Sequence, residues 1–378
     1  MTPLQIEVML TVNPGLAGVV AFDTEIAEPD RDGGALRYRG VDVESLAGRV
    51  SFGDVWGLLV DGDLTRGLPP AEPFPLPVRS GDTRVDVQAA VSMLTPHWGL
   101  RPLIDIDDAQ ARDDLARTSV MMLSAIAQSA RGAGLPAVPE RVVERGRTAT
   151  ERFMIRWQGD PDPRHVAAID RYWVCAAEHG MNASTFTARV VASTGADVAA
   201  CLAAAVAALS GPLHGGAPSR ALGMVEAVED GADPRAYVRE VLDSGRRLMG
   251  FGHAIYRAED PRARILRAAA RELGAPRYEV ALELEKAALA ELRERKPDRV
   301  LATNVEYWAA VVLDFAQVPA ELFSAMFTGA RTAGWSAHVL EQKRLGKIIR
   351  PSADYVGPGQ RPATDLAGWS EAVKRYAE

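Results

Sequence analysis

The chain has 378 residues, 47% of them hydrophobic, 25% charged and only 6% aromatic, with a formal net charge of -7. That length exceeds what one core usually fills, so two lobes or domains are expected, and abundant alanine with few aromatics favours packed helices over an aromatic-rich β-sandwich. The negative balance gives no general attraction to nucleic acid or anionic lipid, so an anionic ligand would need a local positive pocket.

The opening MTPLQIEVML lacks the basic start and apolar core of a signal peptide. Residues 15–30, GLAGVVAFDTEIAEPD, alternate in polarity and begin a predicted β-hairpin. From Val43 onward apolar residues recur at helical spacing, in short helices expected to break at Gly48, Gly53 and Gly62. Residues 66–82 are proline-rich and read as a surface loop. Helical patterns follow at about 84–94, 108–133, 139–157 and 164–179. Asp197 is placed to cap an alanine-rich helix that runs to Leu209 and stops at Gly211-Pro212. This helix, the most apolar run, is too short to span a bilayer. The mixed charges of 277–299 recur at helical spacing and read as a solvated helix face. Cys175 and Cys201 stand in apolar settings without CxxC spacing, which predicts buried free thiols in a reducing compartment and fits the cytoplasm.

Four segments carry chemistry. In GFGHAIYRAEDPRAR (250–264), His253 follows a Gly-Phe-Gly turn, and Arg257 and Arg262 follow it. Glycines let a backbone approach a ligand closely, imidazole donates near neutral pH, and guanidinium forks match carboxylates and phosphates. The segment reads as an anion site with an acid catalyst in it, although a histidine in such a turn also serves purely structural roles. In GPLHGGAPSRAL (211–222), glycines flank His214 just after a helix, either exposing the ring to a ligand or merely ending the helix. In NVEYWAAVVLDF (304–315), Asn304 suits a helix N-cap and puts Glu306 in the first turn, as a base or as an ordinary cap-region charge. The fourth is EHGMNASTFTARV (178–190), which begins with Glu178 and His179. There is no HExxH, paired CxxC, GxxxxGK[ST] or strand-linked GxGxxG, and His97, His165 and His338 lack partners at metal-ligand spacing. Neither metal nor nicotinamide is implied.

In this order and at these spacings the four segments resemble the citrate synthase family. LRYRGVDVESLA followed by VDGDLT resembles the entry to that family's large domain, and the likeness extends from about Gly15 to Gly357. The resemblance implies an all-α, two-domain helical fold of the short type, with a small N-terminal β-hairpin. Its large domain would comprise residues 1–215 and 317–378, with a small domain inserted at 216–316. It implies that acetyl-CoA condenses with oxaloacetate to give citrate and CoA, with Glu306 as base, His214 as donor to the thioester and His253 as donor to the ketone. His179, Arg262, Arg331 and Arg350 would hold the dicarboxylate, Arg350 reaching the partner subunit's site. Arg246, Arg247, Leu248, Met249 and Gly250 would line the CoA approach, with Lys343 and Arg344 as further phosphate candidates. The CoA thioester is a co-substrate, with no tightly bound cofactor and no metal. The alanine-rich helix resembles the family's dimer contacts, so a homodimer is expected, without nucleic-acid or membrane partners. Glu306 departs from the family's usual aspartate by one methylene. Two alternatives stand: a 2-methylcitrate synthase using propionyl-CoA, and a degenerate paralogue that senses CoA or a dicarboxylate.

Overall fold

A computed structural model describes residues 12–16, 18–30, 32–212, 214, 218–252, 256–299 and 301–378. The chain divides into two units, one of residues 1–23 and 350–378 and the other of Thr24–Ile349. The larger unit opens with a three-stranded antiparallel sheet, β1 (Ala27–Asp30), β2 (Ala35–Tyr38) and β3 (Val41–Asp42). The hairpin therefore begins at Ala27 rather than near Gly15. Its turn forms where Asp30 accepts from the backbone of Asp32 (3.3 Å) and Gly33 (2.8 Å), and its register is pinned by Leu36 and Tyr38, whose side chains are buried.

The remaining regular elements are helical, and polar caps fix most of the α-helix starts. After α1 (Val43–Leu46), α2 (Phe52–Asp61) begins on a reciprocal capping box of Ser51 with Asp54 and ends at Gly62 in the left-handed region. Gly53 lies inside α2 and does not break it, because two helix-compatible glycines among eight buried residues cost less than the packing they permit. A Cβ on Gly57 would meet the Arg66 carbonyl oxygen at 2.2 Å. The next helix, α3 (Thr83–Trp98), passes its expected end because Pro96, in its last turn, removes only one helical bond. Then come α4 (Asp108–Arg131), α5 (Glu140–Val143) and α6 (Ala149–Gln158). The single helix expected over 139–157 is split because Gly146 packs on Arg152 and Thr148 caps a fresh start.

From there α7 (Pro163–Ala176) stops short of 179, which leaves Glu178 and His179 in the turn before α8 (Ala183–Ser193). After α9 (Val198–Leu209) come α10 (Pro218–Glu229), α11 (Pro234–Asp243), α12 (Pro261–Leu273), α13 (Tyr278–Arg295), α14 (Val305–Phe315) and α15 (Phe323–Leu345). Asp-Pro pairs start α7, α11 and α12, the aspartate capping and the proline at a first-turn position where no helical N–H is needed. The core forms around α15, buried along most of its length against α2, α4, α7, α8 and α9. Trp56, Trp173, Trp308 and Trp335 are fully buried there and beside it. Most of α9 is spent inside this core as well.

The face of α13 is not simply solvated. Glu285 is buried and accepts from Trp308 Nε1 at 2.8 Å, while buried Glu291 accepts from Arg235 (2.6 Å) and Arg239 (2.8 Å) on α11. Cys175 and Cys201 are free and buried, as expected, and burial pushes the Cys201 thiol up to about 12. The smaller unit holds α16 (Trp369–Ala377) and exposes Tyr355, Val356 and Tyr376.

Candidate active site

Two cavities meet in the larger unit. The inner one, about 190 Å³, is lined by Tyr172 and Ala176 from α7, His179 and Asn182 from the next turn, and His214 after α9. Arg262 from α12, Asn304 to Glu306 and Ala309 around α14, and Phe327 and Arg331 from α15 complete it. The outer groove, about 1280 Å³, is bordered by Arg246, Arg247, Leu248, Met249 and Gly250, with Arg220, Arg295, Lys296 and Arg299 also lining it. His214, Asn304 and Glu306 line both spaces and so stand where they join.

The ring of His214 is held from one side. Its Nε2 accepts from the Ser184 backbone N–H at 3.3 Å and lies 2.9 Å from Ser184 Oγ, which also accepts from Trp335 Nε1 at 3.1 Å. Burial, then the charge of Arg331, pushes His214 below the ordinary histidine value. A neutral ring whose Nε2 accepts carries its hydrogen on Nδ1, so His214 is a neutral donor.

Glu306 is fixed by its helix start. Asn304 Oδ1 accepts from the Glu306 N–H at 3.0 Å, and Asn304 Nδ2 donates to the Gly252 carbonyl at 2.8 Å. The Asn304 N–H also bonds the Gly250 carbonyl at 2.9 Å, and Phe251 and Thr303 form an antiparallel bridge. The glycine turn before His253 is thereby tied to the start of the Glu306 helix. Only glycine fits at 250, where φ is 83° and a Cβ would sit 2.7 Å from that of Tyr307. Burial raises the Glu306 carboxyl above its usual value, with Arg262 lowering it and Asp260 raising it.

Two buried guanidiniums give this chamber its positive charge. Arg262 is chelated by Asp260 at 2.9 and 2.8 Å, both nearly inaccessible. Arg331 donates from Nε to the Ala176 carbonyl at 2.7 Å and stacks on Phe327, 4.6 Å from the ring centre. His179 Nε2 lies 3.0 Å from the hydroxyl of buried Tyr256.

His214, Glu306, His179, Arg262 and Arg331 thus come together, and Arg246 to Gly250 line the adjoining groove. His253 lies outside the described residues. Arg350 is exposed and belongs to the smaller unit. Arg257 is exposed and approaches Asp32 at 4.0 Å, outside both cavities. Lys343 and Arg344 both pair with Asp108, at 2.8 and 2.7 Å, which occupies them away from the groove. Sequence reasoning did not single out Ser184, Asn182, Asp260, Tyr256 or Phe327. The capping patterns Asn-Ala-Ser and Asp-Pro were the available signals for the first three.

This helical fold around a chamber of histidines, arginines and one raised carboxylate is the fold of citrate synthases. The ternary complex of carboxymethyl coenzyme A and oxaloacetate with citrate synthase from Thermoplasma acidophilum superposes with a TM-score of 0.79 at 26% identity, covering 94% of this chain and 100% of that one. The family model for the citrate synthase C-terminal domain matches residues 15–352, and the chain belongs to the citrate synthase family. A Mycobacterium tuberculosis protein named "Putative citrate synthase 2" is 69% identical over 95% of this chain and 97% of its own length. A 2-methylcitrate synthase of Shewanella oneidensis is 31% identical over 93% of this chain and 97% of its own.

Proposed function

We propose that the chain condenses acetyl-CoA with oxaloacetate to give citrate and CoA. The observation that carries this reading is the shared position of His214 and Glu306 at the junction of a small, doubly arginine-lined chamber and a long basic groove. A dicarboxylic oxo acid suits the chamber, and a CoA thioester suits the groove, its acyl end reaching both residues. Glu306 takes a proton from the thioester methyl, and His214 Nδ1–H donates to the thioester oxygen as negative charge grows there. The resulting enol carbon attacks the ketone carbon, whose oxygen receives a proton from His253. Water then hydrolyses the thioester, releasing CoA thiol and making the sequence irreversible. His179, Arg262 and Arg331, with Arg350 of a partner subunit, orient the two carboxylates. Arg246, Arg247, Leu248, Met249 and Gly250 flank CoA, and no step needs a metal.

Residues 216–316 form the inserted small domain in this reading, and its closure on residues 1–215 and 317–378 excludes water. The enzyme is a cytoplasmic homodimer, a reading supported by its buried free thiols and by the apolar residues exposed in the smaller unit. The test is thiol release by the purified protein with oxaloacetate and either acetyl- or propionyl-CoA. Faster turnover of propionyl-CoA would make it a 2-methylcitrate synthase, the activity named for the Shewanella relative. One methylene in an apolar pocket is worth only about 1–3 kcal/mol, so both thioesters must be compared. Binding with turnover of neither would make it a sensor.

A further inference from the structure

Behind Arg331 lies a buried polar cluster that the condensation chemistry does not touch. Glu178 and Arg189 are 0% exposed and His338 is 1% exposed. Arg331, Gly334, His338 and Glu341 recur at helical spacing along one face of α15, and Glu178 sits against that face. Gly334 makes the room, because a Cβ there would meet Glu178 Oε2 at 1.9 Å and the Ala177 carbonyl oxygen at 2.7 Å. Among the described residues, neither Glu178 carboxylate oxygen nor Arg331 Nη1 has a hydrogen-bond partner. Geometry brings them together: Arg331 Nε donates to the Ala176 carbonyl and the Gly334 N–H to the Ala177 carbonyl at 3.1 Å, so the residues leading into Glu178 run along this face of α15. Burial pushes the Glu178 carboxyl up, but the polar His338 ring beside it and the charge of Arg331 outweigh that and hold the group below its usual value. The relation is mutual: burial pushes Arg331 down, and Glu178 is foremost among the groups opposing that.

The tautomer of His338 follows from its neighbours. Its Nδ1 lies 3.0 Å from Arg189 Nη1, and a guanidinium only donates. Nδ1 therefore accepts, and the ring hydrogen stays on Nε2, the atom 3.4 Å from Glu178 Oε1. Arg189 is itself held by Gln342 at 3.0 Å and by Glu341, whose Oε1 accepts from Thr24 and from the Glu25 backbone nearer the surface.

We propose that Glu178 is a positioning residue of the chamber: as the buried counter-ion of Arg331 it fixes that guanidinium toward the dicarboxylate, and His338 keeps Glu178 in place. This rests on the reading of Arg331 as a carboxylate clamp. A merely structural cluster would alter the amount of folded protein, whereas a positioning one changes the affinity for one substrate.

The experiment is steady-state kinetics of the full chain, varying oxaloacetate and the thioester in turn, with calorimetric titration of oxaloacetate alone as a readout independent of turnover. Arg331→Lys and His338→Ala should each raise the KM and Kd for oxaloacetate by about tenfold or more. His338→Ala should leave kcat and the thioester KM within about twofold. His338→Gln should restore wild-type values, since its amide can accept from Arg189 and donate to Glu178. If His338→Ala does not fold, Glu178→Gln carries the same test, because it keeps the volume and removes the charge. Weakened oxaloacetate binding in Arg331→Lys with unchanged binding in His338→Ala or Glu178→Gln overturns the inference alone. Unchanged binding in Arg331→Lys overturns the clamp reading, and the inference with it.

Discussion

Asp260 Oδ2 accepts a hydrogen bond from the Val305 backbone N–H at 3.0 Å while the same carboxylate chelates Arg262. One buried acid therefore holds both an arginine of the chamber and the first turn of the helix that carries Glu306. Asp260→Asn keeps the volume but cannot balance Arg262, and breaking a buried pair costs about 3–5 kcal/mol. The expected result is lower stability in urea, with weaker oxaloacetate binding and a lower kcat together. A loss confined to stability would separate Asp260 from the site.

His214→Ala and His253→Ala should each lower turnover by about 100-fold or more with the fold intact, as a lost donor to a developing oxyanion requires. Thiol release and circular dichroism check this. For His214 a further expectation follows from its lowered pKa: it stays a neutral donor through neutral pH, so its own protonation limits the rate only below the ordinary histidine range. Ser184→Ala removes the hydroxyl beside Nε2 but not the backbone donor, so its effect should be smaller than that of losing the ring.

Much of this site was legible because chemistry and chain punctuation coincide in it. His214 and Glu306 each sit at a glycine turn or helix cap, and such positions show in a sequence. The helices were legible for the same reason, through Asp and Asn caps and closing glycines. What could not be read depends on distant parts of the chain. The aspartate that occupies Lys343 and Arg344 stands at 108, and the glutamates of α13 are buried only because α11 and α14 supply partners. Gly53 and Gly146 show the same limit: one lies inside a helix and one ends a turn, according to what packs on them.

Gly250→Ala tests the link between the glycine turn and α14. A left-handed alanine costs roughly 1–2 kcal/mol, and crowding against Tyr307 adds about 1–3 kcal/mol. The variant should melt earlier and lose activity beyond its loss of folded protein, because the displaced bridge between Phe251 and Thr303 ties the turn to the start of the Glu306 helix. Activity per folded molecule equal to wild type would uncouple the turn from catalysis.

Glu306→Gln separates the base from the cap-region charge. As base, the carboxylate must be ionised to take the methyl proton, and burial has raised its pKa, so the acid limb of kcat/KM should lie above the usual glutamate range. The amide variant should lose nearly all turnover while binding oxaloacetate almost as well, since the arginines and His179 remain. The stability sign is opposite to that of an ordinary cap charge. A carboxyl whose folded pKa is raised contributes stability below its unfolded value, and that contribution is lost as pH rises through the folded value. At neutral pH Glu306 therefore weighs against the fold, and Glu306→Gln should be no less stable than wild type. A surface charge at a helix N-terminus would instead give a loss of about 0.3–1 kcal/mol with turnover preserved. If chemical denaturation finds that loss and thiol release keeps most of its rate, the base lies elsewhere.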